Sequence, residues 1–169
     1  AYLVLNGELP KPKELKKFIK EERNNRKLSK QILDGIKNMP KKAHPMDAIR
    51  TAVSLMGLED KDVRDNSPKA NMKKAMRIFA QTPTAVAAYF RARKSKKFIP
   101  PNKKLSYSEN FFNMMFGKVP NKEIVKAFDV SMILYAEHSF NVSTFTARTI
   151  TSSLSDMHGA ITGAIASLK

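Results

Sequence analysis

Residues 127–169, AFDVSMILYAEHSFNVSTFTARTITSSLSDMHGAITGAIASLK, decide the fold. Val130, Met132, Ile133 and Leu134 leave no polar face, which predicts a buried helix. The polar stretch Tyr135-Ala136-Glu137-His138-Ser139-Phe140-Asn141 interrupts it. Asn141 or Ser143 can then cap a second helix. That helix, Ser143 to Leu154, is rich in Ser and Thr, which form helix poorly unless packing supports them. Met157, Ala160, Ile161, Ala164, Ile165 and Leu168 recur at helical spacing and predict a third helix with one apolar stripe. Gly159 and Gly163 allow close backbone approach along it. Three helices in succession, with no alternating strand pattern, indicate an all-α chain.

The preceding residues read the same way. Ala1–Asn6 is a helical stretch stopped by Gly7, a residue suited to the left-handed position after a helix. Pro12 opens a helix with Leu15, Phe18 and Ile19 on one face. Ser29 can cap a short helix that ends before Pro40. His44-Pro45 opens a helix striped by Met46, Ile49, Val53 and Met56 and closed by Gly57. Asp47 and Arg50, three apart, can pair on its surface. Residues 58–67 form a charged loop. A helix from Pro68 to Arg93 is expected to break or kink near Pro83, whose ring and missing N–H disrupt a helix interior. The loop Lys94–Lys104 is basic. Tyr107–Phe116 is an aromatic helix closed by Gly117, and Asn121 caps the next.

Charge is unevenly spread. Lys and Arg number 31 and Asp and Glu 15, a net charge of +16. Residues 1–104 hold 26 of the basic and 10 of the acidic residues, so residues 105–169 are neutral. A basic half suits nucleic acid, but a solvated lysine face that aids solubility produces the same excess. Cysteine is absent, which removes disulfides and thiol nucleophiles and suits a reducing compartment. Apolar runs such as Thr84–Phe90 fall far short of the roughly 20 residues of a membrane span. The apolar start Ala1–Leu5 lacks the basic leader of a secretory signal, so a cytoplasmic location is expected. The start at Ala1 and the end just after an amphipathic helix suggest a piece of a longer parent.

Motifs are sparse. The six glycines do not fall in a phosphate-loop or dinucleotide spacing. No order of Ser, His and Asp suggests a triad, and no His/Asp/Glu cluster has metal spacing. Among His44, His138 and His158, only His138 stands where a helix ends and another begins. Free N–H groups at a helix start favour an anion, so His138 is a candidate contact for a carboxylate or carbonyl oxygen. The alternative is a core histidine satisfied by backbone.

The run from Ala127 to Lys169 closely resembles the citrate synthase family. AYLVLNGELP, HPMDAIRTAVSLMG, PTAVAAYFRAR and YSENFFNMMFG resemble other segments of that family, in its order and near its spacing. The runs touch every predicted helix except the short one after Ser29. The resemblance implies an all-α, multi-helical large domain of the citrate-synthase type, incomplete, with residues 1–169 forming part of that one domain. The small domain that closes over CoA would be absent. It implies an acyltransferase that condenses acetyl-CoA or propionyl-CoA with oxaloacetate to give citrate or 2-methylcitrate, as in the tricarboxylic acid cycle. His138 would bind oxaloacetate and Asn141 would lie in the same turn, both as substrate-binding residues.

Phe140 and Ser143-Thr144-Phe145-Thr146 most resemble the 2-methylcitrate branch and the bacterial enzymes that accept both acyl groups. Val142 and His158-Gly159 depart from the family's more usual residues, and His158 is expected at a surface or interface. The family's Gly-Pro-x-His-Gly-Gly segment, second histidine, aspartate base and most carboxylate-clamping arginines are expected beyond Lys169, so no catalytic residue is assigned here and the chain alone is expected to be inactive. No cofactor and no metal are implied, because acyl-CoA is a substrate. A homodimer is implied, with the His44-Pro45 helix and Thr84–Arg93 at its interface. Ala85, Ala87 and Ala88 suit close helix packing in either a dimer or a core. The apolar stripe from Met157 to Leu168, deprived of a missing domain, would favour association. No membrane or nucleic acid partner follows from this reading. The alternative that composition leaves open is a basic helical nucleic-acid-binding or interaction module.

Overall fold

The structure is a computed structural model that describes residues 1–137 and 139–168. Among these residues it is all helix, with no strand. The elements are α1 (Tyr2–Asn6), α2 (Pro12–Asn25), α3 (Lys30–Lys37), α4 (Pro45–Glu59), α5 (Pro68–Arg93), α6 (Tyr107–Phe116), α7 (Lys122–Leu134), α8 (Val142–Ser152) and α9 (Met157–Ser167).

Local chemistry sets most boundaries. Gly7 and Gly117 follow α1 and α6 at φ 82° and 79°, where a residue with a Cβ is strained. Ser29, Ser67, Ser106, Asn121 and Asp156 each accept a backbone N–H from the first turn of the helix they precede. Asp47 and Arg50 pair on α4 at 3.1 Å, as their spacing implies.

α5 is the hub. It packs against α2, α3, α4, α6 and α9, and α8 packs on α9. Leu28, Ile32, Ile36, Ala48, Ala52, Val53, Met56, Ala85, Ala88 and Tyr89 form the core, flanked by Ile161 and Ile165 of α9. The alanines of α5 therefore serve the core of a single chain. An aromatic run, Tyr2, Phe18, Phe79 and Tyr107, seals the other side of α5. Burial pushes the Tyr107 phenol well above its ordinary value. Arg26, fully buried, meets Glu22 through two nitrogens at 2.7 and 2.8 Å and donates to the carbonyls of Asn102 and Leu105. With its donors so engaged, a buried guanidinium is tolerated, and it ties α2 to the loop before α6.

Three expectations fail. α5 runs unbroken through Pro83. A proline there costs about 3 kcal/mol, and the cost is met by tertiary support. Thr84, Ala85 and Ala87 are fully buried around it, and the Thr84 hydroxyl donates to the Arg26 carbonyl. α4 continues past Gly57 to Glu59, so Gly57 is an interior residue. The apolar end of α7 is exposed: Ile133 and Leu134 keep 71% and 74% of their accessible surface. Earlier in the helix, Phe128 stacks on Phe111 and meets Phe112 edge to face, both on α6.

Candidate functional site

The turn between α7 and α8 carries the predicted site. Tyr135 ends α7, and the chain reaches α8 within seven residues, 135–141. His138 lies outside the described residues. Ser139 adopts a left-handed backbone, φ 52°, and its N–H donates to the Glu137 carboxylate. A non-glycine residue in that region is strained and is held there by its surroundings.

Asn141 is the N-cap of α8. Its Oδ1 accepts the Thr144 N–H at 2.8 Å and the Ser143 hydroxyl. Its own carbonyl accepts the Phe145 N–H. The predicted pair is thus divided by what can be described: Asn141 is fixed at the positive end of α8, where an anion is favoured, by a bond that also defines the helix start. Around it, Phe140, Val142 and Phe145 are exposed at 92%, 67% and 70%. Three threonine hydroxyls of α8 bond within the helix: Thr146, Thr149 and Thr151 donate to the carbonyls four residues before.

A second polar cluster escaped the sequence reading. His158, expected at a surface or interface, is buried at 2% exposure near the start of α9. Its Nε2 lies 3.5 Å from Asp60 and its Nδ1 3.9 Å from Asp156. Asp60 also receives two nitrogens of Arg77, at 2.6 and 2.9 Å, and Arg77 reaches Asp62 at 3.0 Å. Lys74, fully buried, donates to the carbonyls of Asp65 and Val63 at 2.6 and 3.4 Å. Burial depresses the pKa of His158, against the opposing pull of Asp60 and Asp156. The signal for this cluster was Gly57, a glycine inside a helical stripe. Among the described residues, no group of acidic and histidine side chains could hold a metal ion. No helix among them is long and apolar enough to cross a membrane.

Comparison with known proteins places this architecture. The family model described as citrate synthase, C-terminal domain, matches residues 1–169. A citrate synthase of Mycolicibacterium smegmatis is 46% identical over all of this chain and 45% of its own length. A 2-methylcitrate synthase of Mycobacterium tuberculosis (strain ATCC 25618 / H37Rv) is 47% identical over all of this chain and 42% of its own. The citrate synthase structure from Pyrobaculum aerophilum superposes with a TM-score of 0.92 at 32% identity, over 98% of this chain and 43% of that one. The ternary complex of citrate synthase from Thermoplasma acidophilum with carboxymethyl coenzyme A and oxaloacetate gives 0.93 at 27%, over 99% and 44%. The chain thus spans less than half the length of these relatives. Nothing in these likenesses supports a nucleic-acid-binding module. The chain belongs to the citrate synthase family.

Proposed function

We propose that the protein containing this chain condenses an acyl-CoA, acetyl or propionyl, with oxaloacetate and water to give citrate or 2-methylcitrate and free CoA. The observation that carries the reading is similarity along the whole chain, at 46% and 47% identity, to a citrate synthase and a 2-methylcitrate synthase. In this reading residues 1–169 form part of the large helical domain and one edge of the oxaloacetate site. His138 and Asn141 contact oxaloacetate, and the positive end of α8 adds a favourable field for its carboxylates.

The chemistry is the family's. A base removes a proton from the α carbon of the thioester, and that carbon bonds to the ketone carbon of oxaloacetate. The ketone oxygen gains a proton from a histidine, and water then cleaves the thioester to a carboxylate and the CoA thiol. The base and the acyl-activating histidine belong to parts of the enzyme outside residues 1–169. Acyl-CoA enters as a substrate, no cofactor is invoked, and the working form is a cytoplasmic homodimer.

Thiol release tests the reading. The full protein is expected to release CoA only when both oxaloacetate and acetyl-CoA or propionyl-CoA are present. Residues 1–169 alone should give no release above background. Robust release by residues 1–169 would overturn the placement of the catalytic groups, and silence of the full protein with both thioesters would overturn the activity.

A further inference from the structure

The lysine excess is not uniform in what it surrounds. Between α3 and the end of α5 lies a cavity of about 610 Å³, within the size range of small-molecule sites. Leu33, Ile36, Ala88, Ala92 and Phe98 supply its apolar lining. Its charged lining is Lys30, Lys37, Lys41, Lys96 and Lys97 against the single acid Asp34.

Backbone geometry shapes the lysine side of this cleft. Ser95 turns the chain in a left-handed conformation, φ 54°, immediately after α5. The Ser95 N–H donates to the Ala92 carbonyl and the Lys96 N–H to the Arg91 carbonyl. Lys41 fastens the lip from the opposite side, its Nζ donating to Ser95 Oγ at 2.9 Å, while Arg93 Nε holds the Lys41 carbonyl. The turn splits the lysines around it. Lys94 stacks on the Phe90 ring at 4.6 Å, whereas Lys96 and Lys97 line the cleft. A strained serine next to two lysines that line one cavity is the kind of backbone outlier that accompanies binding sites.

A second basic groove sharpens the contrast. Lys16, Lys20, Arg23 and Lys103 line it beside α2, but Ile19 is its one aliphatic residue. Charge alone therefore does not single out the α3–α5 cleft; charge around an apolar floor does. α3 and residues 94–97 fall outside the five runs that carry the family resemblance, whereas Ala88 and Ala92 of the floor fall within one of them.

We propose that the α3–α5 cleft binds a small phosphate ester with an apolar body, its phosphate held by Lys37, Lys96 and Lys97 and its apolar part on Ile36, Ala92 and Phe98. Ammonium groups bind phosphate as point charges and do not demand one fixed orientation. The apolar floor supplies the preference for an ester over the free ion. The site lies apart from the α7–α8 turn and does not depend on the proposed reaction.

Titration calorimetry on the full protein, with decyl phosphate below its micellar concentration, tests this. Lys37→Glu/Lys96→Glu should weaken binding at least tenfold. Lys16→Glu/Lys20→Glu, an equal charge change in the other groove, should alter it less than twofold. Inorganic phosphate and decanol, each lacking one half of the ligand, should both bind at least tenfold more weakly. Ala92→Leu, which fills the floor without changing charge, should weaken decyl phosphate and spare inorganic phosphate. Absence of decyl phosphate binding, equal loss in both double variants, or equal affinity for decanol would overturn the proposal.

Discussion

A methyl group placed on Gly57 would fall 2.8 Å from the Cβ of His158. This contact sets how closely α4 and α9 approach. Alanine normally favours a helix interior over glycine by about 1 kcal/mol, so the steric term must exceed that for Gly57→Ala to destabilise. Overpacking of rigid positions costs about 1–3 kcal/mol. The expected outcome is a net loss of stability in chemical denaturation. Pairing Gly57→Ala with His158→Gly should recover part of it, a coupling of about 1 kcal/mol or more. Additive losses would show that α9 shifts freely.

His158 should also make stability depend on pH. Its pKa is lowered in the folded chain, first by burial, with Asp60 and Asp156 opposing and Arg77 and Lys74 reinforcing the shift. The folded state therefore binds a proton less readily than the unfolded state. The stability that the neutral ring contributes is fully present above the ordinary value of 6.5 and is lost as pH falls from there through the depressed value. Melting temperatures across pH 7.5 to 5 should fall more steeply for the native chain than for His158→Gln. Parallel curves would remove His158 from the account.

Lys74 should anchor the α4–α5 loop. Its buried ammonium donates to the carbonyls of Val63 and Asp65, which methionine cannot replace. Lys74→Met leaves those acceptors without a donor, a loss of about 1–3 kcal/mol each at most. Hydrogen exchange should rise first across residues 60–67, before the core of α4 and α5 is affected. Unchanged protection there would mean that Arg77 alone, through Asp60 and Asp62, holds the loop.

Asn141 is expected to separate capping from binding. Aspartate caps a helix as well as asparagine does, so Asn141→Asp should change stability by less than about 0.5 kcal/mol. It adds a negative charge beside the proposed oxaloacetate site, and the KM for oxaloacetate should rise at least tenfold. A KM change matched by an equal fall in stability would point to folding alone.

The exposed end of α7 should govern association of residues 1–169. Much apolar surface lies on Ile133, Leu134, Tyr135, Phe140 and Phe145, whereas the α9 stripe packs on α4 and α8 and leaves Leu168 exposed at its end. Sedimentation should show self-association that Ile133→Asp/Leu134→Asp reduces. A native chain that sediments as a monomer would contradict this.

Sequence reading succeeded where a residue's own chemistry decides the outcome. Gly7, Gly117, Ser29 and Asn121 mark helix ends because left-handed backbone and side-chain caps are local properties. It failed where a distant partner decides. Pro83 stays helical because its neighbour Thr84 is buried and bonded to the Arg26 carbonyl at the end of another helix, α2. Gly57 and His158 are 101 positions apart, and each is ambiguous until the other is placed against it. The α7 run reads as buried because its composition is apolar, but composition does not say which segment covers it. At the candidate site, a cap at Asn141 or Ser143 was legible and the fold selects Asn141, while an oxaloacetate-binding role for His138 rested on resemblance.

The α4–α9 contact has a consequence for the order of folding. α2 to α6 share the core around α5 and can assemble from neighbouring segments, whereas α9 must return to α4 across most of the chain. Closing so long a loop carries an entropic cost that is recovered only when the helices dock. The Gly57–His158 seam should therefore form after the folding barrier. Gly57→Ala is expected to speed unfolding while leaving the folding rate nearly unchanged.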